Sequence, residues 1–232
     1  MLFVGGIHGG YEWNSVLLAY KFIDQLEAEL IEIPEGLSIE IIPVLNPDGL
    51  YAVINKEGRF ALEDIPEKSS LANGQGRFNA NAVDLNRNFD CKWESNSTWR
   101  GEIVSAGSSA FSEPEAQALK KIVEEKNPEA VIFWHSQANA VYASECEEGI
   151  LPETLALMSN YAEPAGYKQV ESFDAYPITG DAEGWLASIG IPAITVELSS
   201  HEAVEWEKNL AGVLSILDLY STSSSTNEHL GR

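Results

Sequence analysis

The chain has 232 residues, with 14 lysine and arginine residues against 36 aspartate and glutamate residues, which gives a formal net charge of −22. A surface of this charge repels the phosphate backbone and argues against a nucleic-acid-binding protein. No apolar run approaches the roughly 20 residues that span a bilayer, and the first residues show no signal-peptide pattern. We therefore expect a protein without a membrane span, located in the cytoplasm for the chain as written.

Apolar runs and amphipathic segments alternate along the chain, which is typical of an α/β fold. Four apolar runs predict buried strands, over 2–7, 38–45, 130–134 and 193–196. Five segments with apolar residues at helical spacing predict helices, over 13–30, 112–126, 152–165, 181–189 and 202–220. The order predicts one domain over residues 1–220, an α/β fold with a mixed, mostly parallel central sheet and helices on both faces. The serine-rich segment 221–232 predicts a flexible C-terminal tail.

Residues 50–110 form a long stretch with little periodicity. In a compact domain, a segment of this length without regular structure is either disordered or functional. It contains Val83-Asp84-Leu85-Asn86-Arg87-Asn88-Phe89, which is too particular for a linker. We interpret the stretch as functional loops.

The two cysteines, Cys91 and Cys146, do not constitute a disulfide framework. Their spacing is not that of a metal site. We expect both to be small buried residues, with a single disulfide between them as the alternative.

Polar side chains directly follow three of the predicted strands. His8 follows the first strand, His135 the third and Glu197 the fourth. Because ligands bind beyond the carboxyl ends of the strands in open α/β sheets, these side chains are expected to meet at one edge. Glu12 lies four residues after His8, beyond the flexible pair Gly9-Gly10. Two histidines and a carboxylate suit a catalytic zinc ion with an open fourth position for water.

Five motifs, spread over residues 3–209, carry a resemblance to a known family. They are Gly6-Ile7-His8 with Glu12-Trp13, Asn46-Pro47-Asp48-Gly49, Asp84-Leu85-Asn86-Arg87-Asn88-Phe89, Phe133-Trp134-His135-Ser136 and Thr195-Val196-Glu197-Leu198. In this ordered set the chain resembles the zinc metallocarboxypeptidases, of which carboxypeptidases A and B are the best-known members. One departure is visible, because the family has two residues between the first His and Glu, whereas three separate His8 from Glu12.

The resemblance implies one zinc ion bound by His8, Glu12 and His135. Asp84 would accept the ring N–H of His8 and fix the orientation of that imidazole. Glu197 would act as the general base that takes a proton from the attacking water and passes it to the leaving amine.

The resemblance also implies a set of residues that contact the substrate. Arg77 would stabilise the developing oxyanion, and Tyr176 would close over the substrate. Asn86 and Arg87 would hold its terminal carboxylate. Glu183 falls at the position that selects the side chain, and its negative charge predicts a cationic terminal residue such as lysine, arginine or meso-diaminopimelate.

These assignments predict a zinc-dependent carboxypeptidase acting on a peptide, or a peptidoglycan-derived peptide, with a free C-terminal carboxylate. A zinc-dependent deacylase of N-acyl amino acids is an alternative, since the same residues suit its carboxylate. A zinc-free module that binds peptide C-termini is a third reading, against which Glu197 argues because such a module needs no base. We interpret the remaining histidines, His201 and His229, as surface residues.

Overall fold

A mixed six-stranded sheet forms the centre of the computed structural model, which describes residues 1–66, 74–173 and 177–228. The strands in these residues are β1 (Leu2–Val4), β2 (Glu40–Ile42), β3 (Asn96–Trp99), β4 (Glu102–Ser105), β5 (Val131–Ser136), β6 (Ala140–Ala143), β7 (Glu145–Cys146), β8 (Gly149–Ile150), β9 (Lys168–Val170) and β10 (Ala193–Leu198). The α-helices are α1 (Trp13–Glu27), α2 (Pro47–Ile54), α3 (Pro114–Lys126), α4 (Pro152–Ala165), α5 (Ala182–Ser188) and α6 (Trp206–Glu228).

The strand order in the central sheet is β2-β1-β5-β10-β6-β9. Strands β2, β1, β5 and β10 run parallel, β6 is antiparallel to β10, and β9 is parallel to β6. Two short hairpins, β3–β4 and β7–β8, lie outside this sheet. The mixed, mostly parallel sheet expected from the sequence is confirmed, and the carboxyl ends of β1, β5 and β10 share one edge.

Helices cover both faces of the sheet. Since alternate residues of a strand point to opposite faces, one strand contributes side chains to the cores on both sides. On one face, Phe3 of β1 packs in a core with residues of α1, α4 and α6. On the other face, Leu2 and Val4 pack in a core with residues of α3 and α5. Strands β1 and β5, in the interior of the sheet, are therefore buried on both sides, which explains why they read as continuous apolar runs.

Residues 50–110 contain more regular structure than their weak periodicity predicts. Asn46 is the N-cap of α2, where its Oδ1 accepts the N–H of Gly49 at 2.8 Å and Pro47 occupies the first turn. The Asn-Pro-Asp-Gly motif thus begins a helix, for which an Asn cap and a first-turn proline are favourable. The β3–β4 hairpin also lies in this stretch.

The observed end of helix α4 agrees with the sequence prediction, whereas that of helix α6 differs from it. Helix α4 has the predicted bounds and ends at Gly166, which has a φ of 69°. Helix α6 continues to Glu228, into the segment 221–232 interpreted as a tail, and the domain boundary at residue 220 stays a prediction. Within the described residues, no helix combines the length and apolar character needed to cross a membrane.

Cys91 and Cys146 form a disulfide, so the expectation of two unbridged cysteines is wrong. Their Cα atoms lie 6.1 Å apart although 55 positions separate them in the sequence. The carbonyl of Cys91 accepts the N–H of Gly180 at 2.7 Å, Cys146 ends β7, and both cysteines pack in one small buried cluster with Ala187 of α5. Proximity of this kind depends on the tertiary fold and leaves no local signal in the sequence.

Candidate active site

His8, Glu12 and His135 meet at the carboxyl edge of the sheet, as the sequence predicted. Each offers one ligand atom, and these atoms all lie within 4.8 Å of one another. All three side chains are buried, with at most 4% exposure. His8 follows β1, His135 lies within the carboxyl-terminal part of β5, and Glu12 ends a 3₁₀ helix over Gly9–Glu12.

The extra residue between His8 and Glu12 is accommodated by this 3₁₀ helix. Gly9 enters it with a φ of 48°, a left-handed conformation that favours glycine. A Cβ at this position would lie 2.6 Å from the carbonyl oxygen of Gly76, so a side chain cannot fit. The backbone turn at Gly9 therefore lets Glu12 reach the two histidines despite the departure from the family spacing.

Asp84 lies beside His8 and is fixed by three groups around it. Nε and Nη2 of Arg77 both lie 2.9 Å from Asp84 Oδ2, and the N–H of Asn86 donates to Oδ1 at 3.2 Å. Nδ1 of His8 is 3.5 Å from Asp84 Oδ1. Burial, followed by the charges of Arg77 and His135, holds the pKa of His8 well below its usual value. The imidazole is therefore neutral, which is the form that binds a metal.

His135 lies between two carboxylates. Its Nδ1 is 3.2 Å from Oε2 of Glu12, and its Nε2 is 3.1 Å from Oε1 of Glu183. Burial lowers the pKa of His135, but the charges and hydrogen bonds of Glu12 and Glu183 outweigh burial and raise it well above its usual value. Glu183 also accepts a hydrogen bond from the Thr195 hydroxyl at 3.1 Å.

The three residues fit a zinc ion. They supply two imidazoles and one carboxylate, the donor set of catalytic zinc sites with an open position. The three donor groups are buried and their ligand atoms lie within 4.8 Å of one another, so a single metal ion can contact all of them.

Glu197 is placed next to this cluster by the pairing of two parallel strands. In the register of β10 and β5 it lies opposite His135. Burial, reinforced by the charges of Glu12 and Glu183, raises the pKa of Glu197 to about 8. Its Oε2 is buried and has no hydrogen-bond partner among the described residues. A carboxylate with a pKa near neutrality is suited to accept and return a proton.

Asn86 and Arg87 lie on a second part of the same cleft. Both are buried in the 3₁₀ helix over Leu85–Arg87, and Oδ1 of Asn86 accepts the N–H of Ala182 at 2.9 Å. Nε of Arg87 is buried without a partner in the described residues, while its Nη1 donates to the Asn86 carbonyl at 2.5 Å. Asp181 lines the cleft beside them, and burial and the charge of Glu183 raise its pKa to about 6.

The cleft has a volume of about 810 Å³ and contains the metal cluster, Glu197, Arg77 and the Asn86–Arg87 pair. Tyr176 lies outside the described residues, so its role stays a prediction. His201 also lines the cleft and is only partly exposed, so its interpretation as a plain surface residue is wrong. It follows Glu197 by four residues, and this placement after a strand end was the one available signal.

Comparison with known proteins agrees with this site. A family model described as zinc carboxypeptidase matches residues 1–210. Gamma-D-glutamyl-L-diamino acid endopeptidase 1 of Lysinibacillus sphaericus is 28% identical over 173 residues, which are 70% of this chain and 42% of that protein. Murein peptide amidase A of Escherichia coli (strain K12) is 31% identical over 142 residues, 56% of this chain and 55% of that protein. The chain thus spans about half the length of these curated relatives.

Among solved structures, carboxypeptidase A from Helicoverpa armigera superposes with a TM-score of 0.66 at 19% identity. The match covers 96% of this chain and 60% of that one. At this identity the likeness shows the shared fold, a mixed sheet with helices on both faces.

Proposed function

We propose that this chain, which belongs to the zinc carboxypeptidase family, hydrolyses the amide bond before the C-terminal residue of a peptidoglycan-derived peptide. Membership makes it a hydrolase that uses one zinc ion, for which His8, Glu12 and His135 form a fitting site. The observation that carries the proposal is the position of Glu197, in register with His135 and beside that cluster. Peptidoglycan peptides are suggested by the two curated relatives, whose names refer to murein peptides and to a γ-D-glutamyl–diamino acid bond.

The side chains of the cleft supply the remaining chemistry. His8, Glu12 and His135 would hold the zinc ion, which would lower the pKa of a bound water molecule and polarise the carbonyl to be attacked. Glu197 takes the proton of the attacking water and transfers it to the leaving amine. Arg77 stabilises the developing oxyanion with N–H donors beyond the two that Asp84 accepts.

Asn86 and Arg87 select a substrate with a terminal carboxylate. A guanidinium binds a carboxylate through two parallel hydrogen bonds, and Nε of Arg87 is buried without a protein acceptor in the described residues. A hydrogen bond from this charged donor to a substrate carboxylate is charge-assisted and therefore stronger than one between neutral groups. The deacylase alternative uses the same pair, so the two enzymes differ in what lies beyond the scissile bond.

The acidic side chains nearby favour a cationic terminal residue. Asp181 and Glu183 both line the cleft, and a diamino acid carries the amine that would neutralise them. Oε1 of Glu183 already contacts His135 and Thr195, so orienting the proposed metal ligand is an alternative role for Glu183. Glu183→Ile separates the two roles. Loss of selectivity at unchanged zinc affinity supports substrate selection, whereas weaker zinc binding with unchanged ranking of substrates supports orientation of His135.

The proposed activity is tested with matched substrates that differ only at the C-terminus, L-alanyl-γ-D-glutamyl-diaminopimelate with a carboxylate or with a carboxamide. We expect kcat/KM to be at least about 100-fold higher for the carboxylate, since charge-assisted pairs with a buried guanidinium contribute roughly 3 kcal/mol. Arg87→Gln should abolish this discrimination. Faster hydrolysis of N-acetyl-lysine than of the peptide would favour the deacylase, and binding without turnover would favour the binding module.

The disulfide bears on where the protein functions. Disulfides persist in oxidising compartments and are rare in the cytosol, so the Cys91–Cys146 bond favours a location outside the cytoplasm. The cytoplasmic location expected from the first residues stays a prediction. Thiol titration of the protein isolated from its native cells under acid quench distinguishes the two.

A further inference from the structure

A hydrogen-bond network fixes the protonation of His201, a residue without a role in the proposed function. Nδ2 of Asn14 donates to the carbonyl oxygens of Ser200 at 2.7 Å and Ala203 at 3.0 Å, so its amide orientation is determined. Oδ1 of Asn14 can then only accept, and it lies 2.9 Å from the hydroxyl of Ser136. The single hydrogen of that hydroxyl is therefore directed at Asn14.

The same hydroxyl must act as an acceptor toward His201. Its oxygen lies 2.8 Å from Nδ1 of His201. Because the hydroxyl hydrogen is used for Asn14, the proton in this contact belongs to Nδ1 of the imidazole. A neutral imidazole carries one proton, so Nε2 is left with a lone pair and acts as an acceptor.

His201 lies in an aromatic wall of the cleft. The ring of Tyr11 is 4.6 Å from the ring of His201 and 5.4 Å from that of Trp99. The guanidinium of Arg77 lies over the Trp99 ring at 4.6 Å. Since Arg77 is the proposed oxyanion partner, this wall adjoins the reacting carbonyl, whereas Asn86 and Arg87 are assigned to the terminal residue on the leaving side.

The charges around His201 decide what kind of donor Nε2 can accept from. Burial lowers the pKa of His201. The negative charges of Glu12 and Glu202 oppose this shift, whereas the positive charges of Arg100 and Arg77 add to it. The imidazole is thus neutral at pH 7. The two carboxylates and the two guanidinium groups offset one another, so these charges do not require a cationic donor, and an uncharged amide N–H is a suitable partner for Nε2.

We propose that Nε2 of His201 accepts a hydrogen bond from an amide N–H on the acyl side of the scissile bond, in a subsite walled by Tyr11 and Trp99. This inference rests on the proposed function for the side of the bond, but the protonation of His201 does not depend on it. The network through Ser136 and Asn14 positions the acceptor before substrate binds, so the substrate does not bear the free-energy cost of ordering it.

The protonation is tested by ¹⁵N nuclear magnetic resonance of histidine-labelled, zinc-loaded protein at pH 7. The chain has four histidines, and His201→Phe identifies the signals of His201 while keeping a ring against Tyr11. We expect a protonated Nδ1 and an unprotonated Nε2, and a mixture of tautomers in Ser136→Ala. A proton on Nε2 in the wild-type protein would overturn the proposal.

The acceptor role is tested with two peptides that differ by replacement of the acyl-side amide N–H with an ester oxygen. The wild-type enzyme should show kcat/KM about 10-fold lower for the ester, the effect of one hydrogen bond. His201→Phe should lose about 10-fold on the amide peptide and should not distinguish the two peptides. An equal preference for the amide over the ester peptide in wild type and variant would refute the role of His201. No turnover of either peptide would refute the proposed function, and the protonation of His201 would then be judged from the nuclear magnetic resonance experiment alone.

Discussion

Glu197, the proposed base, is buried and should make the metal-free protein less stable as the pH rises. Its pKa is raised from an ordinary value of 4.5 to about 8 by burial and neighbouring carboxylates. A raised carboxyl pKa means that the native state binds more protons than the unfolded chain between these values, so stability falls as the pH rises through them. By linkage this cost is about 3 kcal/mol at pH 7 and about 1 kcal/mol at pH 5.

Glu197→Gln removes the ionisable group while keeping the shape of the side chain. The variant should therefore gain stability over the wild type by about 2 kcal/mol when the pH changes from 5 to 7. Urea unfolding of both proteins in the presence of a chelator, at several pH values, measures this difference. Glu207→Gln, at an exposed site, is the matched control and should show no such dependence on pH.

Two results would refute this reasoning. A stability difference between wild type and Glu197→Gln that is independent of pH would mean that Glu197 is not held protonated. A difference of the opposite sign would mean that its carboxylate is paired in the native state. Zinc should reduce the effect, because a cation beside Glu197 favours its ionised form.

Three further predictions concern the structure around the metal ligands. Asp84→Asn should weaken zinc binding about 10–100-fold in a chelator competition, because the partner of His8 loses its charge, and unchanged affinity would contradict this role. Gly9→Ala should lower both zinc affinity and stability, the latter by more than about 1 kcal/mol, whereas Gly58→Ala, also at positive φ but with no atom within 4 Å of the new Cβ, should lose less. Cys91→Ser should reduce the free energy of unfolding by roughly 4 kcal/mol for a loop of 55 residues, and two reactive thiols in the unreduced, denatured wild type would instead show that the bond is absent.

The meeting of the proposed metal ligands and base was predictable from the sequence because most of these residues follow strands. His8, His135 and Glu197 each come after an apolar run or lie at its end, and parallel strands bring their carboxyl ends to one edge. The role of Glu12 could be inferred from the residue type and the family resemblance. The way in which the chain accommodates the extra residue between His8 and Glu12 could not be inferred from the sequence, since it depends on the backbone of Gly9 and its close approach to Gly76.

Other features depend on contacts between distant segments, which composition and periodicity do not encode. The disulfide joins a loop to β7, and neither cysteine has a local pattern that indicates its partner. The proposed role of His201 depends on Ser136, 65 positions away, and on Asn14. Glu183 resembled a substrate-selecting residue in the sequence, and only the structure reveals its contact with His135.

The most direct test of the account is the zinc content of the purified protein, measured together with hydrolysis of the diaminopimelate peptide. We expect about one equivalent of zinc in the wild type, loss of the metal in His135→Ala, and retention of the metal without turnover in Glu197→Gln. This pattern would separate the ligand from the base. A wild-type protein that holds no zinc and cannot be reconstituted with it would contradict the central claim.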